Sequence, residues 1–195
     1  MLDNNIRRQI LSLINKEVVP AVGCTEPMAV SLCTARAKEI LNDIPEKITV
    51  LLSANILKNA MGVGIPGTNM IGLPIAIALG AIIGKSQYQL EVIKDLSPES
   101  LEKGKKYVCE KHIEISLKPN ITEKLYIEVI CQSGKNKSTA IISGSHTNFV
   151  YEELNGDILL DKLKDKNISN EETGISLNMK MVWDFAITST LNRAR

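Results

Sequence analysis

Residues 71–83 form the longest apolar run of the chain, and this run constrains the fold more than any other feature. Its Ala, Ile and Leu residues predict a helix over 73–84 that is apolar nearly all round. A helix of this kind is buried, so other elements of the chain must surround it. The run is too short to cross a bilayer, which requires about 20 apolar residues. We therefore expect a globular fold with no membrane partner.

Composition narrows the classes of function. The 195-residue chain has a net charge of +1 and 4% aromatic residues, so neither a basic surface nor base-stacking side chains favour nucleic acid binding. Its four cysteines are widely spaced and include no CxxC pair, which argues against disulfides and against a self-contained zinc site. The first residues lack the charged and apolar regions of a secretion signal, so we expect a cytoplasmic protein.

The first part of the chain, residues 1–85, is predicted to be mostly helical. Apolar spacing predicts amphipathic helices over 4–19 and 26–41. β-Branched residues then predict a strand over 47–53. A polar, glycine-rich stretch over 54–72 separates this strand from the apolar helix.

The second part, residues 86–150, is predicted to be a β-α-β-β-β subdomain. Alternating apolar residues predict its first strand over 88–92, and Ser97, Pro98 and Ser100 favour a helix that starts there and lasts to residue 111. The remaining strands are predicted over 112–117, 124–132 and 138–143, with a hairpin turn at 133–136.

Residues 151–195 are expected to pack back against the first part. A polar, lysine-rich loop is predicted over 162–173, and helical spacing returns from Leu177 onward. The expected fold class is therefore α+β, with a helical part and a sheet subdomain.

Cys24 precedes a predicted helix start in the segment Val-Gly-Cys-Thr-Glu-Pro. Thr25 is the expected N-cap, Pro27 fits the first turn, and Glu26 complements the positive end of the helix dipole. A cysteine just outside a helix N-terminus is favoured as the thiolate, which is the reactive and metal-binding form. The alternative is a small buried residue at a tight turn.

The other three cysteines are assigned to packing. Cys33 lies nine residues after Cys24, which places it on the opposite side of the helix and roughly 13 Å along its axis, so the two thiols cannot share a small metal site. Cys131 shares a strand face with apolar residues, and Cys109 lies on the helix before the strands.

A second segment, residues 53–68, contains the pattern G-x-G-x-x-G between Gly62 and Gly67. In a dinucleotide site this pattern lies tightly between a strand and a helix, whereas here Pro66 interrupts it and the next helix begins late, so nucleotide binding is not favoured. Consecutive backbone N–H groups can still cradle a carboxylate. The candidate substrate-binding residues of this segment are Asn55, Asn59, Gly62, Gly64, Gly67 and Thr68, with Lys58 as a catalytic candidate.

A third segment, Ser-Gly-Ser-His-Thr-Asn at 143–148, places hydroxyl, imidazole and amide groups in a row at a strand end. Ser145, Thr147 and Asn148 can hold a substrate carboxylate, and His146 can transfer protons near neutral pH.

Taken together and in this order, Gly-Cys-Thr-Glu-Pro, Asn-Ile-x-Lys-Asn-x-Met-Gly-Val-Gly-Ile-Pro-Gly-Thr and Ser-Gly-Ser-His-Thr-Asn resemble the iron–sulfur L-cysteine desulfidase family. That family is related to the α-chain of bacterial iron–sulfur L-serine dehydratases. The resemblance implies cleavage of L-cysteine to sulfide, ammonia and pyruvate with a [4Fe–4S] cluster and without pyridoxal phosphate. It covers essentially the whole chain, yet family chains are much longer, and this chain resembles their N-terminal half.

The resemblance also implies roles for the candidate residues. Cys24 would be either the base that removes the Cα proton or a cluster ligand, with His146 and Lys58 as further catalytic groups. The remaining cluster cysteines would come from a C-terminal half or a second subunit, because Cys33, Cys109 and Cys131 match no ligand position. An L-serine dehydratase-like lyase and a non-catalytic truncated subunit are the alternatives, and a homodimer is left open.

Overall fold

The structure is a computed structural model that describes residues 2–110, 112–163 and 175–188, and its fold class is α+β as predicted. The described α-helices are α1 (Asn4–Glu17), α2 (Thr25–Leu41), α3 (Ala54–Ala60), α4 (Leu73–Ile82), α5 (Pro98–Cys109) and α6 (Met179–Thr188). The described strands are β1 (Lys47–Leu52), β2 (Gly64–Ile65), β3 (Met70–Ile71), β4 (Ile113–Leu117), β5 (Tyr126–Ser133), β6 (Asn136–Ser143), β7 (Phe149–Leu154) and β8 (Asp157–Asp161).

The chain divides into two compact units, one of residues 20–165 and one that comprises 1–19 and 166–195. This division differs from the predicted boundaries at residues 85 and 150. The larger unit contains residues 20–85 of the predicted helical part together with the predicted sheet subdomain, because β1 belongs to the same sheet as the later strands.

The larger unit is built on a six-stranded mixed sheet with the order β4-β1-β5-β6-β7-β8. β1 pairs in parallel with β4, through partners such as Ile48 and Ile113, and antiparallel with β5. The strands from β5 to β8 follow one another as antiparallel neighbours. A strand from the first half of the chain therefore lies between two strands from the second half.

Three helices build the core against the sheet. α2 packs on β5 and β6, α4 packs on α2, and α5 packs on α4. The predicted apolar helix is confirmed, since nearly every residue of α4 is buried. Its contact with α2 is close: a Cβ on Gly80 would lie 2.5 Å from the carbonyl oxygen of Ser31, so a larger residue cannot be accommodated there.

Most predicted elements are confirmed within a few residues at their ends, including the hairpin turn between β5 and β6. Ser97 caps α5 by a capping box with Ser100, as expected. Cys33 and Cys131 are fully buried core residues. The prediction that Cys109 is a packing residue is wrong, because its position near the end of α5 leaves it exposed.

Several elements were not predicted correctly, among them the short strands β2 and β3. Residues 88–92 are not a strand, and a 3-10 helix (Ser86–Glu91) lies there instead. The polar stretch after β1 contains α3, which the Ser53 side chain caps by accepting from the Ile56 N–H. β7 and β8 extend the sheet beyond residue 150, and most of the loop predicted over 162–173 lies outside the described residues.

The smaller unit contains α1 and α6. The Asp3 side chain caps α1 by accepting from the backbone N–H of Asn5 at 2.8 Å. The Arg7 guanidinium lies 5.5 Å from the ring centroid of Phe185 in α6 and donates to the Thr188 hydroxyl. Among the described residues, no helix has the length and apolar character that a bilayer span requires.

Candidate functional site

Cys24 is the N-cap residue of α2, and Thr25 is the first residue of the helix. The expectation that Thr25 caps the helix is therefore wrong by one position. The Cys24 side chain makes no capping hydrogen bond, and the Thr25 hydroxyl donates instead to Oε2 of Glu26 at 3.2 Å. The thiol is partly buried at the first turn of the helix, so it is positioned as the sequence predicts but within a different set of contacts.

The Glu26 carboxylate connects the three sequence segments. Its Oε2 accepts from the Cys24 thiol at 3.0 Å, and its Oε1 accepts from Nδ2 of Asn59 at 3.4 Å. The charge of His146, in the third segment, is a smaller contribution to the low pKa of Glu26. One side chain thereby joins Cys24 of the first segment to Asn59 of the second by hydrogen bonds, and the charge of His146 in the third segment acts on the same carboxylate.

The pKa of the Cys24 thiol is raised above its ordinary value. Burial is the main cause, and the hydrogen bond to the Glu26 carboxylate adds to it, because a thiolate would be repelled by the neighbouring negative charge. The backbone N–H groups of Glu26 and Thr25 act in the opposite direction but are outweighed. The expected thiolate at the helix N-terminus is therefore not what the structure favours, and the thiol is held in its protonated form.

The pKa of Glu26 is lowered, first of all by the hydrogen bond from Cys24. The Thr25 hydroxyl and the charge of His146 contribute further, while partial burial opposes them. Glu26 is thus an ionised carboxylate that accepts a hydrogen bond from a neighbouring thiol. This arrangement can pass a proton between sulfur and oxygen over a single hydrogen bond.

The β2–β3 hairpin packs against the turn that precedes Cys24. Gly23 has a φ of +83°, and a Cβ there would lie 2.7 Å from Cγ of Pro66. Glycine is therefore required at this position both by the backbone conformation and by the contact with the hairpin. The contact holds the glycine-rich segment next to the start of α2.

The predicted substrate-binding residues of the hairpin have different surroundings. Gly62 and Gly64 face open space, whereas Gly67 has a positive φ and lies against Leu96. Thr68 is buried, and its hydroxyl donates to the carbonyl oxygen of Ile65 at 2.7 Å, so it stabilises the turn of the hairpin.

The remaining predicted residues lie on α3 and on the loop after β6. Asn55 and Lys58 are exposed on α3, the helix that also carries Asn59. In the loop, Asn148 donates from Nδ2 to the carbonyl oxygen of Ser143 at 2.9 Å, and its backbone N–H donates to the carbonyl of Ser145. These bonds form the tight turn that carries His146. Thr147 is half-buried and Ser145 is exposed in the same turn.

Glu26 is the functional residue that sequence reasoning missed. From the sequence, we expected the charge of Glu26 only to complement the helix dipole. In the structure its carboxylate lies at the centre of the candidate site. Its position two residues after Cys24 is a signal that could have indicated the contact, since both side chains lie at the first turn of one helix.

An open cleft of about 480 Å³ adjoins the hairpin. Val22, Pro66 and Gly67 line one side, and residues around the start of α5 line the other. The lining is mostly apolar, apart from Lys94 and Ser97.

The cysteines of this chain do not fit a complete [4Fe–4S] cluster. Cys33 and Cys131 are buried in the core, and Cys109 is exposed on α5, which leaves Cys24 as the one thiol of the candidate site. Among residues 2–110, 112–163 and 175–188, no three His, Cys, Asp or Glu side chains come together in a way that could hold a metal ion.

Comparisons with known proteins give consistent names. No family model and no solved structure matches the chain. A UPF0597 protein of Bacteroides thetaiotaomicron is 61% identical over 189 residues, which cover 97% of this chain and 44% of the relative. UPF0597 proteins of Porphyromonas gingivalis and Alkaliphilus oremlandii are 46% and 42% identical over 96% and 90% of this chain, and 45% and 41% of their own lengths. Over nearly its whole length the chain is thus similar to proteins named UPF0597, and it spans less than half the length of these relatives.

Proposed function

We propose that this chain forms the substrate-binding half of a lyase that cleaves L-cysteine to hydrogen sulfide, ammonia and pyruvate. One observation carries the proposal: the Glu26 carboxylate accepts hydrogen bonds from both the Cys24 thiol and the Asn59 side chain. β-Elimination requires a group that removes the Cα proton and a group that protonates the leaving sulfur, and a hydrogen-bonded thiol and carboxylate can exchange these tasks.

The proton path uses the two side chains in sequence. Cys24 passes its proton to Glu26, and the resulting thiolate removes the Cα proton of the substrate. The electron pair of the Cα–H bond forms the Cα–Cβ double bond, while the pair of the Cβ–S bond leaves with sulfur. Glu26 then returns its proton to the leaving sulfur, which departs as hydrogen sulfide. The aminoacrylate product tautomerises to an imine, which water hydrolyses to pyruvate and ammonia.

The neighbouring residues position the substrate. The His146 imidazole can donate a hydrogen bond to the substrate carboxylate, and the hydroxyls of Ser145 and Thr147 lie in the same turn. Asn59 holds the Glu26 carboxylate toward α3, where Lys58 adds a positive charge at the exposed surface. A [4Fe–4S] cluster would have to take its ligands from the portion of the protein that this chain does not span, and no step is assigned to it.

The test uses a chimera in which this chain replaces the matching region of the Bacteroides thetaiotaomicron relative. Under anaerobic conditions with L-cysteine, we expect equal amounts of sulfide and pyruvate. Cys24→Ala is expected to lower the rate by about 100-fold or more, because a proton-transfer group is lost. Cys109→Ala is the matched control, since this exposed thiol lies on α5.

The same assay separates the alternatives. L-Serine supplied in competition with L-cysteine should yield less pyruvate than L-cysteine does, and a preference for serine would replace the desulfidase assignment by that of a serine dehydratase-like lyase. A chimera that releases neither sulfide nor pyruvate would contradict the proposal and favour a non-catalytic subunit. Near-normal turnover in Cys24→Ala would remove Cys24 from the mechanism.

A further inference from the structure

α6 presents an apolar stripe to solvent, which consists of Met179, Val182, Trp183 and Ile187. The positions repeat at intervals of three and four residues, so the four side chains lie on one face of the helix. Met179 is 81% exposed and Trp183 is 66% exposed. Contiguous apolar surface of this kind marks an interaction site in a folded protein.

The opposite face of α6 already has a partner. Phe185 lies under the Arg7 guanidinium of α1, and Thr188 accepts a hydrogen bond from the same group. Lys180 and Asp184 form an ion pair at 2.7 Å along the helix. The helix is therefore oriented by α1 on one side, and the apolar stripe is left for a different surface.

We propose that the apolar stripe of α6 binds the portion of the protein that the relatives carry outside the region matched by this chain. The matched region is 44% of the Bacteroides thetaiotaomicron relative, so more than half of that protein is available to cover the stripe. The proposal does not depend on the lyase activity.

Trp183 is the expected centre of this interface. It is the single tryptophan of the chain, and tryptophan is the side chain that most often dominates binding energy when it is buried between two surfaces. Val182 and Ile187 flank it on the same face and would exclude water around it.

The single tryptophan also supplies the test. The chain and the chimera described above are labelled with 5-fluorotryptophan, and Trp183→Phe identifies the fluorine resonance of residue 183. In the chain alone, this resonance should shift between H₂O and D₂O because the indole is exposed. In the chimera the shift should be lost, because the added portion covers the indole.

Two variants of the chimera make the test specific. Ile187→Glu should restore the solvent shift at Trp183, since a charge in the apolar stripe opposes docking. Leu159→Glu is the matched control, because Leu159 is also an exposed aliphatic residue but lies on β8 in the larger unit, and the shift should remain absent.

A second measurement covers the case in which a variant of the chimera does not fold. A tagged copy of this chain is co-expressed with the remaining portion of the relative as a separate polypeptide. We expect the two to copurify in equal amounts, and we expect Ile187→Glu to lower the recovered partner by about tenfold or more.

Four outcomes would overturn the proposal. The portion could fail to copurify with the unsubstituted chain, or Trp183 could remain exposed in the folded chimera. Light scattering could show that the chain alone dimerises with Trp183 shielded, which would assign the stripe to a second copy. Trp183 could also be shielded in the monomeric chain, which would assign the stripe to a surface of the chain itself.

Discussion

The Cys24 thiol and the Glu26 carboxylate form a 3.0 Å hydrogen bond across the first turn of α2, with sulfur as the donor. Burial of the thiol, together with this contact, outweighs the backbone N–H groups that favour a thiolate at a helix N-terminus, so the pKa of Cys24 is raised. The thiol therefore stays protonated while the carboxylate stays ionised.

Glu26→Gln should lower the pKa of the Cys24 thiol. The substitution removes the negative charge that raises this pKa and keeps a side chain of the same size. A larger thiolate fraction at a given pH means faster alkylation, so the pH dependence of iodoacetamide labelling should move to lower pH. Mass spectrometry of the Cys24 peptide measures the rate, with the exposed Cys109 as an internal standard. An unchanged pH dependence would contradict the assignment, and Glu102→Gln on α5 is the control.

Asn59→Asp should have the opposite effect. Asn59 donates to Oε1 of Glu26 at 3.4 Å, and an aspartate there would place a second carboxylate beside the first. Like charges disfavour ionisation, so the pKa values of Glu26 and Cys24 should both rise. The same labelling experiment should then show slower alkylation of Cys24 at neutral pH. Asn55→Asp, on the same helix, is the matched control and should change the rate less.

Gly23→Ala should destabilise the larger unit and displace the β2–β3 hairpin. The methyl group would lie 2.7 Å from Cγ of Pro66, and alanine is strained at a φ of +83°. We expect a loss of about 2–4 kcal/mol in the free energy of unfolding, from backbone strain and overpacking together. Urea unfolding followed by circular dichroism measures the loss. Gly62→Ala is the control, because nothing lies within 4 Å of its Cβ position, and an equal loss there would contradict the argument.

Arg36→Met should destabilise the contact between α2 and the sheet. Arg36 donates to both carboxylate oxygens of Glu152 at 2.9 and 2.7 Å, and the Glu152 side chain is only 8% exposed. Removing the guanidinium leaves a buried carboxylate without its counter-charge, which costs about 3 kcal/mol. The double variant with Glu152→Met should recover most of the loss in urea unfolding. Lys105→Met breaks an exposed ion pair with Glu102 and should cost less than about 1 kcal/mol.

The elements that the sequence predicts well are those whose signal is local. The apolar α4 and the capping box of α5 follow from side-chain composition and from the hydroxyl groups at one turn. The strand predicted over 88–92 is wrong because alternating apolar residues also fit a 3-10 helix, in which Leu90 is buried. α3 was not predicted because it has only two turns, and its polar residues Asn55, Lys58 and Asn59 leave too few apolar positions to show a helical spacing.

The strand neighbours of β1 could not be predicted, for a different reason. The pairing partners of β1 are 65 or more residues away in the sequence, and no local pattern indicates which strands become neighbours in a sheet. The candidate site was predictable in part: Cys24, Asn59 and His146 were named from motifs, whereas Glu26 required the coordinates. The direction of the pKa shift at Cys24 also required them, because burial and a neighbouring carboxylate cannot be read from the helix start alone.

The central place of β1 in the sheet has a consequence for biosynthesis. When β1 leaves the ribosome, neither β4 nor β5 has yet been translated, so its backbone has no strand to pair with. The apolar α4 emerges in the same interval, before α5 exists to cover it. The nascent chain thus carries a strand without all its pairing partners until residue 133 is made, and for part of this time the apolar α4 is not covered by α5. A chaperone would be needed most during this interval.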